Sequence, residues 1–128
     1  MASIQPQLWA EPAGRAVAFY ADAFGATVRH RVGEGDDIVA QLAVGEAVFW
    51  VAPPGADLGR FSPAAIGGAT GRMLLVVDDP DAVLARAVAA GAAEKAPAAD
   101  EHGWHVGRVV DAFGHEWEIG RPLGAWPP

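Results

Sequence analysis

The 128-residue sequence contains no cysteine, which excludes disulfide bonds and any catalytic or metal-binding thiolate. Its apolar runs are short, and none approaches the roughly 20 residues that a membrane-spanning helix needs. The N-terminal residues also lack the charged-then-apolar pattern of a secretory signal. We therefore expect a cytoplasmic protein that does not act on or in a membrane.

Basic residues are scarce as well. Nine Lys and Arg residues stand against sixteen Asp and Glu residues, which gives a formal net charge of −7. This balance disfavours nucleic acid as a partner and slightly favours a neutral or cationic one. The length suits a single domain, residues 1–128, that buries about two thirds of the surface its unfolded chain would expose. We expect a small molecule as the partner.

The sequence contains an internal repeat. Each copy reads as a strand, an amphipathic helix that ends at glycine, and three further strands. Equivalent positions of the two copies are 66, 67 and 68 residues apart, respectively: Gly25 and Gly91, Gln5 and Arg72, Trp50 and Glu118. Two copies are too few for a solenoid, so we expect them to pair within one domain, with a cleft between them.

The first copy, residues 3–55, has the clearer pattern. We predict a strand at Ser3–Trp9, a helix at Ala13–Phe24, a strand at Thr27–Val32, and a hairpin formed by Ile38–Val44 and Ala47–Ala52. Residues 56–70 are rich in Gly, Ala and Pro and are expected to form a linker loop over the cleft.

The second copy, residues 71–123, follows the same order. We predict a strand at Met73–Val77, a helix that Asp79 caps, and strands at Trp104–Val110 and Glu116–Ile119. Between the helix and these strands, Lys95–Asp100 is polar and interrupted by proline.

Three phrases carry a family resemblance. Ala18-Phe19-Tyr20, Phe24-Gly25-Ala26 and the stretch from Asp111-Ala112-Phe113-Gly114-His115 to Ile119 resemble the vicinal oxygen chelate superfamily. That superfamily includes glyoxalase I, bleomycin-resistance proteins, fosfomycin-resistance enzymes and extradiol dioxygenases. The resemblance implies an α+β fold in which two tandem βαβββ modules form a cup-shaped mixed sheet that commonly encloses a divalent metal ion. It also implies a homodimer.

The superfamily's four metal-ligand positions correspond to Gln5, Trp50, Arg72 and Glu118 in this chain. An indole nitrogen only donates hydrogen bonds, and a guanidinium has no free lone pair, so Trp50 and Arg72 cannot bind a cation. We therefore predict a degraded metal site, no metal and no other cofactor. In its place, an ion pair of Arg72 and Glu118 with added hydrogen bonds from Gln5 would bind a small aromatic or amphipathic molecule.

In this hypothesis Trp50 stacks on the ligand, Arg72 and Gln5 hydrogen-bond its polar edge, and Glu118 either orients Arg72 or accepts from a ligand cation. Gln7 shares the strand parity of Gln5 and belongs to the same predicted ligand-binding set. No catalytic residue is assigned.

Two alternatives remain open. One is a glyoxalase-type lyase or isomerase, or a dioxygenase, that binds one divalent metal ion through other residues, among them Gln41, His102 and His105. The other is a dimer whose cup is filled by its own side chains. We interpret His102 and His105 as exposed or hydrogen-bonded loop residues and His115 as a residue that orders its turn, while His30 lies in the predicted strand Thr27–Val32. Of the five tryptophans, Trp50 is assigned to the cup, Trp9 shares the strand parity of Gln5 and Gln7, and Trp117 is interpreted as a core residue, which is also the default for Trp104 and Trp126.

Overall fold

The computed structural model describes residues 1–125, so Trp126 lies outside the described part of the chain. The first module consists of β1 (Gln7–Trp9), α1 (Ala13–Phe24), β2 (Thr27–Val32), β3 (Val39–Val44) and β4 (Ala47–Ala52). The linker contains a short helix, α2 (Pro63–Ile66). The second module consists of β5 (Arg72–Val76), α3 (Pro80–Ala89), β6 (Ala93–Glu101), β7 (Trp104–Val110) and β8 (Glu116–Pro122). None of the helices in residues 1–125 is long and apolar enough to cross a lipid bilayer.

The two modules have the same topology. Each forms a four-stranded sheet, with strand orders β1-β4-β3-β2 and β5-β8-β7-β6. The first strand of each module pairs in parallel with the last, and the other pairs are antiparallel. The predicted α+β fold of two βαβββ modules is therefore confirmed.

Both long helices begin where the sequence predicts, and α1 also ends at its predicted glycine, whereas α3 ends at Ala89, two residues before Gly91. The carboxylate of Asp79 caps α3 by accepting a hydrogen bond from the backbone N–H of Ala82 at 3.1 Å, and Pro80 follows at the first helical position. Gly25 ends α1 in the left-handed conformation, at φ 69°, which costs glycine little.

Three segments differ from the sequence prediction. The first strand covers only Gln7–Trp9, so Gln5 precedes it. The proline-interrupted stretch lies within a strand, β6, because β6 is an edge strand and its pairing with β7 shifts register on either side of Ala96. The linker is not wholly irregular, since the hydroxyl of Ser62 caps α2 by accepting from the backbone N–H of Ala65 at 3.3 Å.

The helix-covered sides of the two sheets share one aromatic core. The ring of Trp117 on β8 lies 5.4 Å from that of Tyr20 on α1 and 5.7 Å from that of Phe49 on β4. Phe19, Phe24 and Phe113 extend this cluster. The modules are thus joined through their helix-covered sides, and Trp117 is a core residue as predicted.

A single buried carboxylate secures this junction. Oδ2 of Asp111 accepts hydrogen bonds from the hydroxyl of Tyr20 at 2.5 Å and from Nε1 of Trp117 at 3.0 Å. Its Oδ1 accepts from the backbone N–H groups of Phe113 and His115. Burial, and then the negative charge of Asp111, raise the pKa of Tyr20 well above its ordinary value, so Tyr20 remains a neutral donor. The Phe-Tyr and Asp-x-Phe-Gly-His phrases therefore meet at one structural site.

Candidate functional site

Each sheet has an open face, opposite its helix, that carries a row of side chains in register. On the first sheet the row runs across all four strands: Gln7, Trp50, Gln41 and His30. On the second sheet the aligned positions are Leu74, Glu118, Arg108 and Ala96. Trp50 and Glu118 thus occupy equivalent places on β4 and β8, as the repeat spacing predicts.

The first open face carries an uncharged hydrogen-bond network. Oε1 of Gln5 accepts from Nε1 of Trp50 at 2.8 Å and from Nε2 of Gln41 at 3.1 Å. The ring of Trp50 is half-buried and lies edge-on to the ring of His30, 6.1 Å between centroids. We call Gln5, Gln41 and Trp50 the amide network.

The second open face carries an ionic network. Oε2 of Glu118 accepts from Nη2 of Arg72 at 3.1 Å and from Nε of Arg108 at 3.0 Å. Nη2 of Arg108 also donates to Oε1 of Glu101 at 3.0 Å, and this bond raises the pKa of Arg108. We call Arg72, Arg108, Glu101 and Glu118 the ionic network; two positive and two negative charges make it neutral.

A cavity of about 360 Å³ lies beside the ionic network. Its apolar wall contains Leu74, Trp104 and Val106, and His102 also contributes. The side chain of Glu118 is only 16% exposed, whereas that of Arg72 is 49% exposed. The other carboxylate oxygen of Glu118, Oε1, accepts no hydrogen bond from residues 1–125. The cavity therefore has a polar base that contains unused hydrogen-bonding capacity.

The structure divides the predicted ligand-binding residues into two groups. Arg72 and Glu118 form the predicted ion pair, but Gln5 bonds to Trp50 and Gln41 rather than to that pair, because it belongs to the other sheet. Gln7 is exposed and lines a different crevice of about 480 Å³, between β1 and the linker, which it shares with Arg72. One chain therefore presents two half-sites, each on its own open face.

Sequence reasoning missed Arg108 and Glu101. A usable signal was present, since Arg108 follows Gln41 by 67 residues, which is the offset that relates Gln5 to Arg72. Gln41 and Arg108 each lie on the third strand of their module. Gln41 bonds to Gln5 and Arg108 bonds to Glu118, and both of these partners occupy ligand positions of the superfamily.

The donor set does not suit a divalent cation. Trp50 donates its only polar hydrogen to Gln5, and the guanidinium of Arg72 offers no lone pair. Residues 1–125 contain no group of three or more His, Cys, Asp or Glu side chains that could hold a metal ion. The four positions therefore do not fit the metal ion that the superfamily commonly encloses.

The alternative ligands Gln41, His102 and His105 are not brought together. Gln41 lies on the first sheet, and His102 lines the cavity on the second. Both ring nitrogens of His105 are occupied, with Nε2 2.7 Å from Oδ2 of Asp81 and Nδ1 2.8 Å from Oδ1 of Asp100. His115 contacts the backbone carbonyl of Trp9 through Nε2 at 2.9 Å, which is a contact between the modules.

Comparison with known proteins identifies relatives along nearly the whole chain. A family model described as Glyoxalase/Bleomycin resistance protein/Dioxygenase superfamily matches residues 5–119. An uncharacterized protein of Mycobacterium bovis is 32% identical over 127 residues, which cover 94% of this chain and 84% of that protein. An uncharacterized protein of Mycobacterium tuberculosis has the same identity, with 75% of its length covered.

Solved structures extend the likeness. TioX from Micromonospora sp. ML1 has a TM-score of 0.73 and 27% identity, over 96% of this chain and all of that one. A gene product of Arabidopsis thaliana has a TM-score of 0.73 and 28% identity, over 94% of this chain and 99% of that one. The fosfomycin resistance protein FosX of Listeria monocytogenes, solved with Mn(II), shares the fold at 13% identity and a TM-score of 0.72, over 98% of this chain and 93% of that one. The chain therefore belongs to the glyoxalase, bleomycin resistance protein and dioxygenase superfamily.

Proposed function

We propose that this protein binds a small aromatic or amphipathic molecule without a metal ion. The proposal rests on the residues at the four ligand positions. There Trp50 and Arg72 stand in place of metal ligands and contact other side chains of the protein, Gln5 and Glu118 respectively. A half-buried indole face on one sheet and a guanidinium on the other are suited to a flat ligand with a polar edge. Membership of the superfamily supports the fold but does not fix the reaction.

The proposal requires two copies of the chain. The residues of the two half-sites lie on separate open faces, and both faces expose apolar side chains next to polar networks. Leu74 and Val76 on β5 are 49% and 55% exposed, and Val32 on β2, which shares the face of His30, is 62% exposed. A second copy that sets its first open face against the second open face of its partner would bury these side chains. A twofold dimer of this kind contains two identical sites.

In such a site Trp50 of one copy stacks on the ligand and Gln5 holds the indole in position. Arg72 of the other copy, oriented by Glu118, donates to the ligand's polar edge. Gln7 contributes from the crevice beside Arg72.

The stacking role is tested with Trp50→Ala. Saturable quenching of tryptophan fluorescence in a small-molecule screen first supplies a ligand, and calorimetry then measures its affinity. We expect Trp50→Ala to weaken binding about tenfold or more, since stacking on an aromatic ring contributes roughly 1–3 kcal/mol. Leu58→Ala is the control, because Leu58 is 65% exposed and lines neither the cavity nor the crevice of the proposed site. Unchanged affinity in Trp50→Ala contradicts the stacking role.

The dimer is tested with Val76→Asp. Val76 lies on the second open face but does not line the cavity described there, so the substitution adds a charge to the proposed contact and leaves the polar groups intact. We expect sedimentation to show a folded monomer that no longer binds the ligand. A wild-type protein that is monomeric at micromolar concentration while binding its ligand contradicts the two-copy site.

Metal analysis separates this function from a metal-dependent lyase, isomerase or dioxygenase. Protein purified without chelators is expected to contain much less than one divalent ion per chain. Stoichiometric bound metal that persists through dialysis overturns the proposal.

A further inference from the structure

The ionic network has one feature that the proposed function does not use. Both arginine contacts of the Glu118 carboxylate reach the same oxygen, Oε2: an ion pair with Arg72 and a hydrogen bond from Arg108. Oε1 of the same carboxylate accepts nothing from residues 1–125. Within residues 1–125 Arg72 contacts Glu118 only through Nη2, so most of its five N–H donors have no acceptor there.

These two unused groups differ in kind and lie beside the same ion pair. One is an acceptor on Glu118, and the other is a set of donors on Arg72. They share the 360 Å³ cavity with the apolar side chains of Leu74 and Val106. A ligand that covers this cavity removes both groups from water, so each must find a partner on the ligand.

We propose that the second-sheet cavity selects ligands whose polar edge is an uncharged carboxamide. The inference rests on the proposed function. An amide N–H donates to Oε1 of Glu118, and the adjacent amide carbonyl accepts from the guanidinium of Arg72. The edge of a carboxamide supplies one donor and one acceptor side by side, which matches the two unused groups of the cavity.

The ionic network is neutral as a whole, which disfavours charged analogues of a carboxamide ligand, such as a carboxylate or an ammonium. Two arginines and two glutamates already neutralise one another, so a ligand charge finds no unpaired counter-charge. A carboxylate would place a negative charge against Oε1 of Glu118, and an ammonium would place a positive charge against Arg72. An ester avoids both repulsions but offers no N–H, so Oε1 would lose water without gaining a bond.

Three ligands of one shape test the inference: 2-naphthamide, methyl 2-naphthoate and 2-naphthoate, titrated calorimetrically into the full-length protein. We expect the amide to bind about tenfold tighter than either other compound, the discrimination typical of one unsatisfied buried polar group. This comparison needs no variant. An ester or carboxylate that binds as tightly as the amide overturns the carboxamide preference while leaving the aromatic-ligand function in place. Binding of none of the three overturns both.

Glu118→Gln tests whether Glu118 is the acceptor. Its side-chain carbonyl can still accept from Arg72, but an amide NH₂ replaces Oε1 and the negative charge is gone. We expect the affinity for 2-naphthoate to rise to that of 2-naphthamide or above it. Glu46→Gln removes the same charge at the exposed β3–β4 turn, outside this cavity, and should preserve the wild-type order. An unchanged order in a folded Glu118→Gln variant overturns the assignment.

Discussion

Two carboxylates in the second module illustrate two uses of the same chemical group. Asp111 is 4% exposed, and both of its oxygens are occupied by donors from α1, β8 and the intervening turn. Glu118 is on an open face, and only one of its oxygens is occupied. The buried carboxylate has no capacity left for a ligand, whereas the open-face carboxylate does.

The motif from Asp111 to Ile119 therefore contains residues that stabilise the core as well as a residue of the proposed ligand site. Asp111 and Trp117 belong to the phrase from Asp111 to Ile119, and so does Glu118. Residue parity on β8 divides them, because Trp117 points to the helix-covered side and Glu118 to the open face. Substitutions on the two sides should therefore change different measurements.

The largest expected effect comes from Asp111→Ala. Four donors, two of them side chains in the aromatic core, would lose their acceptor at once. Each unsatisfied buried donor costs about 1–3 kcal/mol, so we expect a loss of about 3–5 kcal/mol in the free energy of unfolding. Urea denaturation measures it. Asp111→Asn is the matched control, since its carbonyl can still accept from the two backbone N–H groups. A loss below about 1 kcal/mol in Asp111→Ala contradicts the structural role.

Tyr20→Phe should have a smaller effect at the same site. It removes one donor and keeps the ring that packs on Phe24, Phe49 and Trp117. Asp111 retains its other three bonds, so we expect a loss of about 1–2 kcal/mol. Ligand affinity should not change, because Tyr20 is buried on the helix-covered side. A weakened affinity in a fully folded Tyr20→Phe variant would break the proposed separation of the two carboxylate sites.

Local signals in the sequence were sufficient for most of the fold. Helix α1 has the predicted bounds because its buried stripe has helical spacing and Gly25 ends it. The β3–β4 hairpin follows from alternation and from Gly45 at the turn, at φ 59°. Strand β6 could not be predicted in the same way, because its exposed, proline-containing sequence is held by pairing with β7 rather than by its own pattern.

The candidate site was predictable only in part. The repeat offset places Trp50 and Glu118 at equivalent positions, and the Arg72–Glu118 ion pair follows from the resemblance. Gln5 joins Trp50 instead because β1 pairs with β4 in the first sheet, and no local pattern encodes this long-range pairing. Arg108 was not predicted because the superfamily's ligand positions lie on the first and last strands of each module, whereas Arg108 lies on the third. Its partner Glu101 lies across the β6–β7 pair.

The substitution Arg108→Met tests how the ionic network on the second open face differs from the buried hydrogen bonds of Asp111. Arg108→Met keeps much of the side-chain volume and leaves Glu101 and Glu118 without their shared counter-charge. Because these groups are partly exposed, we expect a loss of at most about 1 kcal/mol in the free energy of unfolding, which shrinks in high salt. The effect on binding should be larger, since Glu118 is no longer fixed. A salt-independent loss as large as that of Asp111→Ala would show that the two networks are alike.

The smallest expected effect concerns two exposed carboxylates, Asp81 and Asp100, whose side chains are each 68% exposed. His105 lies between Asp81 on α3 and Asp100 on β6, and the hydrogen bond to Asp81, followed by that to Asp100, raises the pKa of His105 above 6.5. Only the charged imidazole can donate to both carboxylates, because the neutral ring carries one N–H. With the pKa raised in the folded state, the stabilisation is fully present below the unfolded value and disappears as the pH rises through the folded one.

Wild type and His105→Gln should therefore differ most in stability at about pH 5.5 and least at about pH 9, and the difference should diminish in high salt because the groups are exposed. Thermal unfolding across this range measures it, with His30→Gln as the matched control because His30 forms no ion pair in residues 1–125. A difference that grows with pH would mean that the neutral imidazole is the form the carboxylates bind. In that case the contact of Asp81 and Asp100 with His105 would not depend on a positive charge. The comparison of Asp111, which has both oxygens occupied, with Glu118, which has one, could then not be extended to these exposed carboxylates.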